Sequence, residues 1–374
     1  MSYFKTFYKF MLALIVLFTV SCSDDSPVAV NSTNQAMSDE IDRVCDSILT
    51  NAQVPGMVVG VWLPEKNFTY LKAKGYNDPF TKTPMQKDHH FRIGSNTKSF
   101  VTTIVLQLID EGKLKLDDKL SVYFPDFPRA DEVTIHQLMN MSSGIFNYTD
   151  DPDFQSIFFS DPLNEKNPID LINIAKKHPY YFDPGTNYHY SNTNTIMLGE
   201  IIQQITKKSL NGELHSRIFS KYGLNNTSYA TDHKMPANFI KGWSQLTEGN
   251  YIDVSEMFNM TWGGAAGAIV SDIYDVKKWV ELISVPGIVS DSLTAKRFEG
   301  IQLQGMPIEY RYGYGVFSIV ETGYWGHNGE VPGYTSLMMH NKTTKGTIVI
   351  FFNSELSSTD HLFFRIYQIT KNAK

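Results

Sequence analysis

Phe91-Arg92-Ile93-Gly94-Ser95-Asn96-Thr97-Lys98 leads into a run that stays apolar at Phe100, Val101, Ile104, Val105, Leu108 and Ile109 before Gly112. This spacing predicts a helix from Ser95 to about Glu111, closed by Gly112. Ser95 and Lys98 then stand three residues apart, on one face of its first turn. A serine hydroxyl is a poor nucleophile until a nearby base takes its proton. A lysine is such a base only when burial or neighbouring positive charge lowers its pKa. The helix N-terminus adds positive potential where negative charge would develop. Taken alone, the string reads more readily as a capping serine and a solvated lysine; Ser2 and Lys5 have the same spacing.

On the amino-terminal side, residues 37–52 read as an amphipathic helix with Ile41, Val44, Ile48 and Leu49 on one side. Residues 57–63 and 68–73 read as a hairpin about the turn 64–67. From Lys113 to about Met260 strand pattern is scarce, and short helices at 135–141, 168–177, 193–205 and 210–218 alternate with proline-rich loops. Beyond Trp262 the pattern predicts a helix at 271–283, strands at 314–319, 324–326, 335–340 and 347–353, and a last helix at 358–370. Together these predict an α/β (α+β) fold: an antiparallel β-sheet flanked by helices, built from 37–112 and 262–374, with an inserted all-helical domain at 113–261. The cleft between the two parts is the natural place for a site.

Two further strings fall at the expected rims of that cleft. Tyr190-Ser191-Asn192 follows Phe182-Asp183-Pro184-Gly185-Thr186, whose Pro-Gly turn sets the loop at the head of the helix 193–205. By itself it reads more readily as a buried tyrosine with an N-capping asparagine. His327-Asn328-Gly329 follows a strand-like run, and its glycine would let a substrate backbone approach the strand edge. By itself it reads more readily as a histidine in a strand-terminal turn.

In this order, with these gaps, the three strings resemble the active-site elements of the penicillin-recognising serine hydrolases, which include class C β-lactamases, DD-carboxypeptidases, D-peptidases and β-lactamase-like esterases. The stretch 182–199 is similar to the DD-peptidase branch. Thr134-Ile135-His136-Gln137-Leu138, Ser142-Ser143-Gly144, Gly263-Gly264-Ala265-Ala266-Gly267 and Val331-Pro332-Gly333-Tyr334 extend the resemblance over roughly 37–371. It implies Ser95 as nucleophile, Lys98 and Tyr190 as proton carriers, and Asn192 holding the lysine and a substrate amide. It further implies His327 as a polar or cationic wall, the backbone N–H groups of Ser95 and Glu330 as an oxyanion hole, and Asn328 and Gly329 as substrate contacts.

The activity implied is acyl-enzyme hydrolysis, first of D-Ala-D-Ala-type peptides by a carboxypeptidase or peptidase. The partners implied are peptides or esters, peptidoglycan stem peptides among them, with β-lactams as acylating ligands. The alternatives are a β-lactamase-like esterase or a β-lactamase on the same residues, and a non-catalytic penicillin-binding protein of the envelope. A histidine in the third string is less like the β-lactamases, which usually carry lysine there. A carboxypeptidase needs a cation for the free carboxylate of its substrate. No Lys or Arg lies between Tyr312 and Gly326, Arg311 is the nearest, and an inward-facing Glu330 would repel a carboxylate.

The rest of the composition narrows the classes. Of 374 residues, 42% are hydrophobic and 25 are glycine, which reads as globular. A net charge of −6 without a long basic run argues against nucleic acid as a partner. Lys5 and Lys9 precede an apolar run, 10–20, too short to span a bilayer. Ser21-Cys22 before a polar tail resembles a bacterial lipoprotein signal, implying a signal segment at 1–22, lipid attachment at Cys22, a tether at 23–36, and membrane anchoring in the cell envelope on its periplasmic or surface side. An ordinary signal peptide cut near Ser21 is the alternative. With 2 cysteines and 10 histidines in no ligand spacing, neither a metal nor a cofactor is expected.

Overall fold

A computed structural model describes residues 32–247, 250–305 and 308–373. The signal segment, Cys22 and the tether as far as residue 31 lie outside the described residues. Residues 32–36, expected as tether, instead form the first turn of α1 (Ser32–Asn51). That helix buries Met37, Ile41, Val44, Cys45 and Ile48, an i, i+4, i+7 stripe. The hairpin follows as β1 (Gly56–Leu63) and β2 (Phe68–Asp78), joined by a short 3₁₀ turn at Pro64–Lys66. After β3 (Thr83–Pro84) and β4 (Phe91–Arg92), a 3₁₀ turn at Gly94–Asn96 leads directly into α2 (Thr97–Asp110).

The middle of the chain carries α3 (Ile135–Met139), α4 (Pro152–Ser160), α5 (Pro168–Lys176), α6 (Asn192–Thr206), α7 (Leu210–Leu214) and α8 (Ser220–Tyr222). Thr134 and Gln137 form a reciprocal capping box on α3. The expectation of an all-helical insert is corrected here, because β5 (Ser228–Tyr229), β6 (Trp243–Thr247) and β7 (Asn250–Asp253) lie within it. β6 and β7 form a hairpin of their own, while β5 joins a small sheet in the order β4-β8-β5 with β8 (Ile269–Ser271). Strands this short show no alternation to read, and the partner of β5 lies some 40 residues on.

The carboxyl-terminal part holds α9 (Gly264–Gly267), α10 (Ile273–Ile283), α11 (Asp291–Arg297) and then β9 (Ile301–Gln302), β10 (Tyr310–Tyr312), β11 (Phe317–Ile319), β12 (Tyr324–Val331), β13 (Tyr334–Asn341), β14 (Thr347–Phe352) and α12 (Thr359–Asn372). The large sheet runs β3-β2-β1-β14-β13-β12-β11-β10-β9, antiparallel throughout. Its amino- and carboxyl-terminal segments meet where Met57 pairs with Phe352. Val59, Val61, Leu337, Ile348 and Ile350 pack on one face with Ile41 of α1 and Leu362 and Ile366 of α12. Val58, Met338, Val349 and Phe351 pack on the other with Phe100 and Ile104 of α2 and Val276 of α10.

Candidate active site

Ser95 sits in the turn ahead of α2, half-buried, while Asn96, Thr97 and Lys98 are buried. The turn is locked from several sides. Asn96 Nδ2 donates to Ile93 O at 2.9 Å and to Ser336 Oγ at 2.7 Å. Thr97 Oγ1 donates to Gly94 O at 2.7 Å, and Trp279 Nε1 of α10 reaches Ser99 Oγ at 2.8 Å. Lys98 points back along the first turn, with Nζ 3.0 Å from Ser95 Oγ and 2.7 Å from Ala266 O of α9. It is 0% exposed, and its third neighbour is the ring of Tyr190, 4.8 Å from Nζ to the centroid. None of these partners is anionic, so burial pushes its pKa well below the ordinary lysine value. A neutral amine keeps a lone pair, and Ser95 Oγ–H can donate to it.

Tyr190 enters from the loop before α6. That loop is clamped to residues 146–147: Thr193 Oγ1 donates to Phe146 O at 2.7 Å, and Asn192 N–H to Asn147 Oδ1 at 3.0 Å. Tyr190 is half-buried, with its ring against Lys98 Nζ. Burial raises the phenol's pKa, and a hydrogen bond with Ser95 works against that. Asn192 departs from expectation. Its Nδ2 donates to Thr149 Oγ1 at 3.3 Å, and the carbonyl of Ala266 takes the lysine instead. Only the run of small residues at 263–267 hinted at this contact, because a backbone carbonyl leaves no side-chain signature.

β12 supplies the third wall. β11 pairs with it only as far as Gly326, leaving the edge from His327 onward unpaired by β11. The Pro332-Gly333 turn makes Val331–Tyr334 the closing hydrogen-bonded pair of the hairpin. By the alternation of an antiparallel ladder, Glu330–Thr335 is then a non-bonded pair, and Glu330 N–H points off the edge. A Cβ on Gly94 would lie 2.8 Å from that nitrogen, and one on Gly329 would lie 2.9 Å from Ser95 N. The two N–H groups proposed for the oxyanion therefore border one spot, at the start of a helix.

Two expected substrate contacts are corrected. The space in front of Gly329 is filled by Ile93 O, 2.1 Å from where a Cβ would stand, so this glycine seats the Ser95 turn against the strand. Asn328 pairs with Leu337, on the sheet face toward α12, where its Nδ2 donates to Asp360 Oδ2 at 2.9 Å. Glu330 alternates onto the same side as Asn328, away from His327. Its carboxyl is held above the usual range by burial and by Glu355. His327 is 1% exposed, and burial, with Lys98 adding to it, drives its pKa down to about 3. Of the two expected forms, a polar wall remains and a cationic one does not. Arg311 is engaged by Glu309, Nε to Oε1 at 2.8 Å.

The β-lactamase family profile matches residues 41–367. Protein flp of Staphylococcus aureus is 24% identical over 322 residues, covering 84% of this chain, which spans 62% of that relative. Among solved structures, the D-stereospecific amidohydrolase from Streptomyces sp. is similar with a TM-score of 0.76 at 26% identity, covering 89% of this chain and 96% of that one. The D-amino acid amidase from Ochrobactrum anthropi, complexed with D-phenylalanine, gives a TM-score of 0.78 at 25% identity over 92% of this chain and 100% of that one. A profile match that takes in Ser95, Tyr190 and His327 alike makes this chain a member of the β-lactamase family.

Proposed function

We propose that this protein is a serine hydrolase that forms an acyl-enzyme at Ser95 and releases amines from small D-configured amides and peptides. The observation that carries the reading is a hydroxyl 3.0 Å from a fully buried amine that has no anionic partner among the described residues. Ser95 Oγ attacks the substrate carbonyl carbon as its proton passes to Lys98 Nζ. The oxyanion is held by the N–H groups of Ser95 and Glu330. Tyr190 gives its proton to the leaving amine and regains one from Lys98, and the C–N bond breaks to leave an ester on Ser95. Water, deprotonated by the same pair, attacks that ester and restores the hydroxyl.

The charges argue for recognition of an amino end over a carboxyl end. The Arg311–Glu309 pair leaves that cation engaged. Asp150 is an exposed carboxylate held by Tyr181 Oη at 2.8 Å and by Asn147 Nδ2 at 2.9 Å, and the same Asn147 accepts from Asn192 N–H. Asp150 suits a substrate ammonium and disfavours a free carboxylate. The relatives named as a D-stereospecific amidohydrolase and a D-amino acid amidase support this class ahead of the carboxypeptidase.

A turnover panel tests it. D-amino acid amides are expected to be hydrolysed, and their N-acetyl analogues at least about tenfold more slowly, the worth of one charged hydrogen bond. Faster turnover of nitrophenyl esters or a chromogenic cephalosporin would shift the reading to esterase or β-lactamase. No adduct at Ser95 with any of these would overturn it. Anchoring through Cys22 in the envelope belongs to the same proposal, and an unlipidated full-length mass for the native protein would refute it.

A further inference from the structure

We propose that Tyr312 is a positioning residue of this active site, donating its hydroxyl proton to His327 Nε2 and so fixing the imidazole in its Nδ1–H form. The inference deepens the Ser95 reading and rests on it for its catalytic consequence only. His327 Nδ1 lies 2.5 Å from the backbone oxygen of Asn328, and Nε2 lies 3.0 Å from Tyr312 Oη. A carbonyl oxygen only accepts, so Nδ1 must carry a hydrogen. A neutral ring has one N–H, which leaves Nε2 a bare lone pair and makes Tyr312 the donor.

A protonated ring would also satisfy both oxygens, but its surroundings oppose the charge. The ring is 1% exposed and lies against Phe317 of β11, with centroids 5.7 Å apart. The ionisable groups facing it are Tyr312 from β10, Tyr190 from the loop before α6, and Lys98 from α2. None of them offers a negative charge at neutral pH. Tyr312 is 2% exposed and is boxed in by Tyr188 and Tyr190, with centroids 5.7 and 6.0 Å away. It is therefore too deep to touch substrate and acts through His327.

The consequence for the reaction is that His327 does not compete with Lys98 for the serine proton. Both of its nitrogens are committed, and it stands as a neutral wall behind Tyr190. Losing the Tyr312 donor removes a bond to the neutral ring and makes its lone pair available to a proton. Tyr312→Phe keeps the ring and its packing.

The experiment is ¹⁵N NMR of the histidine side chains in the whole protein, with His327 assigned from His327→Asn, alongside pH–rate profiles. In the wild type, Nε2 of His327 is expected to be unprotonated and unchanged from pH 5 to 8. In Tyr312→Phe the ring is expected to titrate in that range, kcat to fall at least about tenfold with KM little altered, and the acid limb of the profile to move upward. A proton on Nε2 in the wild type, or titration of its His327 in that range, would overturn the proposal, as would a Tyr312→Phe protein with unchanged tautomer and profile. If that variant does not fold, the wild-type spectrum decides. The tautomer is read without turnover, so a failure of the Ser95 reading would leave it intact and would show instead as the missing adduct.

Discussion

At the scale of single residues, the proposed reaction depends on an amine that the fold makes expensive to keep. Burial holds the folded-state pKa of Lys98 well below the unfolded value of 10.5. The unfolded chain then binds the proton more tightly, and the lysine costs stability at neutral pH. That cost falls by about 1.4 kcal/mol per pH unit as the pH rises toward the unfolded pKa, where both states are neutral. Lys98→Met is therefore expected to lose acylation by at least about 10²-fold yet to melt at or above the wild-type temperature at pH 7, with the gap narrowing by pH 10. Melting curves at several pH values check this, and a wild type more stable than the variant at pH 7 would contradict it. The serine, the lysine and the tyrosine that come together here were legible in their strings and in the family resemblance those strings carry. The lowered pKa of the lysine was not, because it follows from the groups that surround Nζ.

At the scale of elements, the decisive joint is where β12 meets the turn before α2. Gly329→Ala would drive a Cβ to 2.1 Å from Ile93 O, and backbone yields only by moving the turn or the strand. We expect a stability loss of about 1–3 kcal/mol and an acylation rate lower by about 10²- to 10³-fold as the oxyanion donors separate. Stopped-flow acylation and urea melts measure the two effects; wild-type acylation would mean that the joint is not what aligns the donors. Periodicity reads α2, β1, β13, β14 and α10 to within a few residues. It stops β12 at Gly326, because His327, Asn328 and Glu330 are polar, whereas the strand continues to Val331 under the pairing imposed by β13. It misses β5, β6, β7 and α11 because each is too short to display a period.

At the scale of the molecule, α12 closes the sheet face opposite α2 and lies away from the serine. Ile366 is 0% exposed in the core that α12 shares with α1. Ile366→Ala is expected to cost about 2–5 kcal/mol of stability while leaving the acylation rate unchanged well below the melting temperature. A rate that falls in proportion to the lost stability under those conditions would tie this face to the site.

Sequence by itself determined which chemical groups are available, at what spacing along the chain, and which segments can form amphipathic helices or strands. These are local properties, carried by residue type and period. Only the tertiary structure decided that Ala266 rather than Asn192 holds the lysine, that Asn328 turns to Asp360, and that Tyr312 stands behind His327. Each of these rests on burial or on backbone approach between segments far apart in the chain. Desolvation and contact of that kind come into being only when the segments pack.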